Sequence, residues 1–275
     1  MKILYMGTSA YDAIPAPFCK CRICQNAYKL GGKEVRTRNQ ALVDDSLLLD
    51  FNGDTISHFV RYHIDSTKIN TSLITHSHTD HFCPEDIVIP QYSSNSAKVD
   101  FYVGQDGYKK LTKRIASSAN PTLARENLKI HLVKPSDEFL ANGYKVLALR
   151  ANHDLNTSPL NYLIEKDGKS LLYAHDTGIF FEETYKLLEG RKTLDLISLD
   201  CTGGLAKSEW IDIHMRLGTN LDVLKRLKEK GLVDEHTKVV ISHFSHNGNS
   251  THEEIEKEAS KYGIITAYDG LEIEF

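Results

Sequence analysis

His76-Ser77-His78-Thr79-Asp80-His81 places three imidazoles and a carboxylate in six residues, directly after Thr71-Ser72-Leu73-Ile74-Thr75, a β-rich run that reads as a buried strand. Four ligand-type side chains at the end of an apolar strand point to metal binding, since a polar loop of that kind is costly to bury without partners. Side chains alternate along an extended segment, so His76, His78 and Asp80 are expected to face one way and His81 to turn away as the chain leaves the strand. One loop could then feed two metals.

The 275 residues, 41% of them apolar, suffice for one large domain with a sizeable core, expected to run from 1 to 275. The apolar run at residues 3–6 is too short for a signal-peptide core, and no later stretch approaches a membrane span. A soluble, cytoplasmic protein with no membrane partner is therefore expected. A formal net charge of −4 gives no overall attraction for polyanions, which favours a small substrate over nucleic acid.

Other ligand-type residues stand at strand ends along the chain. Residues 2–6 read as a first strand, and 41–43 and 47–51 as two strands joined by Asp44-Asp45-Ser46, the second delivering Asp50. Residues 54–62 have helical spacing, and His58 and His63 on or just past that helix are given no role. A helix over 107–118 groups Lys109, Lys110, Lys113 and Arg114, the best candidate for a phosphate-attracting surface. Strands at 128–133 and 144–149 follow, the latter ending before His153. A hairpin pairing 162–164 with 170–174 delivers Asp176, and a strand at 238–242 delivers His243. Helices are expected at 25–30, 180–188 and 221–230, and a buried strand at 194–199. His76, His78, Asp80, His81, His153, Asp176 and His243 are too many ligands for one tetrahedral zinc. Two metals sharing one carboxylate use all seven, and the isolated Asp176 is the natural bridge.

These residues give the chain a clear resemblance to the metallo-β-lactamase-fold hydrolases, which carry His-x-His-x-Asp-His followed by a distant His, Asp and His. The resemblance covers nearly the whole chain, because Leu47-Leu48-Leu49-Asp50 is similar to that superfamily's first strand-end aspartate. It implies a four-layer αββα sandwich with a dinuclear site at one edge. By its pattern His76, His78 and His153 hold the first metal, Asp80, His81 and His243 the second, and Asp176 bridges both. Asp50 is then the outer carboxylate that steadies the ligand loop.

Penicillin-hydrolysing members commonly supply a cysteine where Asp176 stands, whereas phosphodiesterases and nucleases supply the aspartate. Gly7-Thr8, Cys19-x-Cys21-x-x-Cys24 and His243-x-x-His246 resemble the PhnP-type phosphoribosyl cyclic phosphodiesterases, and PqqB-type proteins share a similar cysteine cluster. The expected activity is hydrolysis of a small, cyclic phosphodiester by a metal-bridging hydroxide, with two active-site metals, zinc or manganese. His214 and Asp80 are the candidate catalytic residues. His214 resembles the non-ligand histidine that protonates the leaving alkoxide; its plainer reading is a histidine packed near Trp210 and Met215. A tRNase Z-like nuclease and a PqqB-like binder that does no catalysis are the competing functions, and a homodimer is compatible with each.

A second, structural zinc is expected. Cys19, Cys21 and Cys24 supply three thiolates in one tight loop, and in a chain without a secretion signal such crowding argues for metal before disulfide. His246, three residues after His243, would complete a closed Cys₃His tetrahedron. Cys83 and Cys201 stand alone as packing thiols.

Overall fold

The computed structural model describes residues 1–92, 95–207 and 212–275. Seven strands form the first sheet: β1 (Lys2–Gly7), β2 (Gln40–Val43), β3 (Leu47–Leu49), β4 (Thr71–Leu73), β5 (Val99–Val103), β6 (Leu128–Leu132) and β14 (Leu271–Glu274). Their order is β14-β1-β2-β3-β4-β5-β6. The second sheet holds β7 (Glu138–Ala141), β8 (Tyr144–Arg150), β9 (Leu160–Lys166), β10 (Lys169–Ala174), β11 (Leu196–Asp200), β12 (Lys238–Ser242) and β13 (Ile264–Thr266). They run in the order β13-β12-β11-β10-β9-β8-β7. In both sheets the ladders turn from antiparallel to parallel: at β3–β4 in the first and at β10–β11 in the second.

The strands alternate in the way a sandwich requires. Ile3, Tyr5, Leu47, Leu49 and Leu73 meet Tyr162, Tyr173, Leu196 and Val240 in a continuous core between the sheets. Leu163, Leu172, Ile197 and Ile241 point the other way. They pack under α6 (Glu182–Leu188), α7 (Leu217–Glu229) and α8 (His252–Ala259), which contribute Tyr185, Val223 and Ile255. On the far side of the first sheet lie α2 (Thr55–Arg61), α3 (Pro84–Val88), α4 (Gln105–Ala116) and α5 (Pro121–Asn127), with α1 (Arg22–Leu30) beside the second sheet. The result is the αββα sandwich of the metallo-β-lactamase fold. Among the described residues no helix is long and apolar enough to cross a membrane.

The expectation for the histidine motif is corrected. The strand before the histidine motif ends at Leu73, because the Thr75 N–H leaves the ladder and donates to Asp50 Oδ1 at 2.7 Å. The motif is therefore a loop, turned by His81 and Phe82 N–H groups that both donate to the His78 carbonyl. Simple alternation fails there: Asp80 sides with His81, away from His76 and His78. The basic face of α4 is also partly neutralised, since Lys110 pairs with Asp106 and Arg114 with Glu85.

Candidate metal centre

Asp50, the His76–His81 loop, His153, Asp176 and His243 follow the C-terminal ends of β3, β4, β8, β10 and β12. Asp50, Asp176 and His243 follow β3, β10 and β12 with φ of 68°, 54° and 63°. Left-handed backbone is uncommon for residues with a side chain. At these three positions the side chain turns off the strand toward the other ligand-type residues. Gly178 contributes by what it lacks: a Cβ there would lie 1.9 Å from the Asp212 carbonyl oxygen, so only glycine lets the segment bearing His214 close over Asp176.

Asp176 is common to three groups of ligand-type side chains: two are the clusters expected from the sequence, and the third joins it to Asp200, His214 and His243. In the first, His76 Nε2 lies 2.9 Å from His78 Nδ1, His78 Nδ1 lies 3.2 Å from His153 Nε2, and His76 Nε2 lies 3.2 Å from Asp176 Oδ2. In the second, His81 Nε2 is 3.2 Å from each of Asp80 Oδ2, Asp176 Oδ2 and His243 Nε2. Ligands at about 2.0–2.1 Å from a tetrahedral zinc stand about 3.3 Å apart, so these spacings fit a common cation. The charges fit as well. Asp50, Asp80, Asp176 and Asp200 are buried carboxylates, and among the described residues only imidazoles form ion pairs with them, with no Lys or Arg. Asp176 Oδ1 is buried without a well-formed hydrogen bond, although His214 Nδ1 lies 3.1 Å away. A cluster with this donor set is compatible with divalent metal binding.

Supporting carboxylates hold the rings. Asp50 accepts from His81 Nδ1 at 2.7 Å and from the Thr75 hydroxyl at 2.9 Å. His78 Nε2 lies 3.3 Å from Asp154. Burial opposes a charge on His81, yet Asp80 and Asp50 outweigh it and hold that imidazole well above its ordinary pKa. Burial pushes His153 down to about 4.

Asp200, at the end of β11, was not singled out from the sequence. Fully buried, it accepts from the Met215 N–H at 2.8 Å and the Thr202 hydroxyl at 2.9 Å, and it faces His243 Nδ1 at 3.2 Å and His214 Nδ1 at 3.4 Å. The available signal was its position, since it ends a buried strand as Asp50 and Asp176 follow theirs. His214 sits between Asp176 and Asp200. Burial lowers its pKa, but the two carboxylates beside it outweigh burial and raise it to about 10. Met215 is buried beside it, whereas Trp210 lies outside the described residues.

The cysteine loop forms a separate cluster at the start of α1. Cys19 Sγ and Cys21 Sγ both lie 3.6 Å from His246 Nδ1, and the donor atoms of Cys19, Cys21, Cys24 and His246 all fall within 4.8 Å of one another. Bond lengths of about 2.3 Å to sulfur and 2.0–2.1 Å to nitrogen put such donors about 3.6 Å apart on a tetrahedron. Burial opposes ionisation of Cys21, but the Cys24 N–H in the first turn of α1 and the bond to His246 lower it to about 6.

A family model described as the β-lactamase superfamily domain matches residues 50–243, beginning at Asp50 and ending at His243. The chain belongs to the β-lactamase superfamily. Among solved structures, a diphosphatase of the PhnP family is 22% identical with a TM-score of 0.75, covering 100% of this chain and 97% of that one. Zinc-bound PqqB from Methylobacterium extorquens is 16% identical with a TM-score of 0.73, covering 100% of both chains. The short form of human tRNase Z is 16% identical with a TM-score of 0.65, covering 100% of this chain and 99% of that one. At these identities the likeness is one of fold. No curated protein sequence matches the chain significantly. Within this superfamily of metal-dependent hydrolases, the two clusters lie where the strands of both sheets end.

Proposed function

We propose that the protein is a dinuclear-metal phosphodiesterase acting on small substrates, cyclic phosphodiesters such as a phosphoribosyl cyclic phosphate among them. The observation that supports this most is Asp176, a carboxylate shared by both histidine clusters, with His214 beside it. His76, His78 and His153 would hold one cation, Asp80, His81 and His243 the other, with Asp176 common to both. Bound there, two divalent cations, zinc or manganese, acidify a water and neutralise phosphate oxygens.

The rest of the work falls to the chain. Asp50, Asp154 and Asp200 orient His81, His78 and His243, which fixes the direction from which each ring nitrogen faces the cleft. His214 is the proton donor to the leaving alkoxide. Asp200 holds its Nδ1, and among the described residues its Nε2 has no hydrogen-bond partner and can meet the leaving oxygen. The net charge of −4 supports a small substrate over RNA. A panel of linear and cyclic phosphodiesters, assayed with zinc or manganese, tests the reading. Turnover of a cyclic phosphodiester above the metal blank is expected, and turnover of none would leave a ligand-binding protein.

A further inference from the structure

Outside the first sheet, between α2 and α3, lies a cavity of about 440 Å³. Its floor belongs to a row that crosses six strands in register: Leu4, Leu42, Leu48, Ser72, Phe101 and Ile130. Ser72 is the single polar side chain in that row, at a place where packing alone would be met by valine or leucine. It is fully buried, and among the described residues its hydroxyl has no hydrogen-bond partner. Gln91, which lines the same cavity, likewise keeps its Oε1 buried and, among the described residues, unpaired. The walls are apolar, from Phe59, Ile69, Ile87 and Val99. Ile56 and Val60, 56% and 72% exposed, continue that apolar lining out to solvent along α2.

Buried polar atoms without partners are rare and ask for an explanation. Water suits small polar holes, whereas this space has apolar walls and a volume within the roughly 300–1,000 Å³ of small-molecule pockets. Its polar lining also takes in Ser66, Thr67, Asn95 and Ser96. Beside Ser72 and Gln91 stands the Asp86 carboxylate, and among the described residues no Lys, Arg or His lines the cavity. An anionic headgroup would meet Asp86 and no counter-charge, and an ammonium would lose its hydration among apolar side chains.

We propose that this cavity binds a neutral small molecule with an apolar body and one hydrogen-bond donor, of the class of medium-chain alcohols. The donor sits at Ser72 and Gln91, and the chain lies along Phe59, Ile69 and Phe101. This site is distinct from the metal clusters and does not depend on the phosphodiesterase reading. It adjoins their supports nonetheless. Ser72 stands four residues before His76, and α3, which supplies Asp86 and Ile87, starts three residues after His81.

Calorimetric titration of the zinc-loaded full chain with 1-decanol tests the proposal, with decanoate at pH 8 as the charged control. The expected result is one saturable site for decanol and binding of decanoate at least tenfold weaker. Ser72→Ala should weaken decanol about tenfold by removing one hydrogen bond. Gln91→Leu gives an independent check should Ser72→Ala fold poorly, and Ala97→Trp, which fills the space, should abolish binding. The proposal is overturned if wild-type protein shows no saturable binding up to the solubility limit. It is equally overturned if decanol and decanoate bind alike, or if the folded anchor variants bind decanol as the wild type does.

Discussion

His81 Nδ1 donates to Asp50 Oδ2 at 2.7 Å, and both side chains are completely buried. Because a ring held through Nδ1 can present only Nε2 to a cation, this pair sets both the tautomer and the direction of one ligand of the second cluster. Asp50→Ala should therefore weaken metal binding at that cluster by about 10–100-fold. Competition against a chelator checks this, and the first cluster, which Asp50 does not touch, should keep its affinity.

At the cysteine loop the proposed zinc ties the start of α1 to the turn after β12, across more than two hundred residues of sequence. Cys21→Ser should lose one zinc per chain and melt at a lower temperature, while the two metals of the dinuclear site remain. Elemental analysis against protein concentration, run beside a thermal melt, reads both. An unchanged metal count would remove the structural zinc from the account.

The role given to His214 depends on the leaving group. His214→Ala should lower kcat by about 10²–10⁴ on a substrate that leaves as an alkoxide, the usual range for a lost general acid. A p-nitrophenolate leaves readily without a proton, so the same variant should lose far less on bis(p-nitrophenyl) phosphate. Equal losses on the two substrates would make His214 a packing residue.

Much of the site was legible because metal ligands are chemically conspicuous and partly local. His76 to His81 lie in one loop, and Asp50, His153, Asp176 and His243 each follow a run of apolar strand residues. Asp200 was legible only by its place at the end of a buried strand: its partners His214, Met215 and His243 come from two later segments, and their convergence exists only in the fold. Thr75 misled for the opposite reason, since it has strand-forming chemistry but a side-chain carboxylate captures its N–H. The unread strands lie at sheet edges. β7 is a half-exposed edge strand, and β14 acquires its structure by pairing with β1 at the other end of the chain. In α8 the N-terminal signal was present in Thr251 and Glu254, which cap one another.

Acid should destabilise the metal-free protein through His58. Its Nδ1–H donates to Gln40 Oε1 at 2.6 Å, and burial lowers its pKa from 6.5 to about 4. Between those values the unfolded chain binds a proton that the folded chain refuses. Stability is therefore full above about pH 6.5 and falls as the pH drops toward 4, by roughly 3 kcal/mol at most. Denaturant titrations in chelator should show a shallower acid slope for His58→Asn than for wild type. Parallel slopes would assign the acid sensitivity to other groups.

Two cations sharing Asp176 are proposed to hydrolyse a phosphodiester, and the direct measurement is activity against metal added to chelator-stripped protein. With bis(p-nitrophenyl) phosphate and Cys21→Ser protein, which leaves the dinuclear site alone to be filled, turnover should rise and level off at about two equivalents of zinc or manganese. Asp176→Ala should abolish it while the chain remains folded. A plateau at one equivalent, turnover no greater than the metal blank, or full activity in Asp176→Ala would contradict the account.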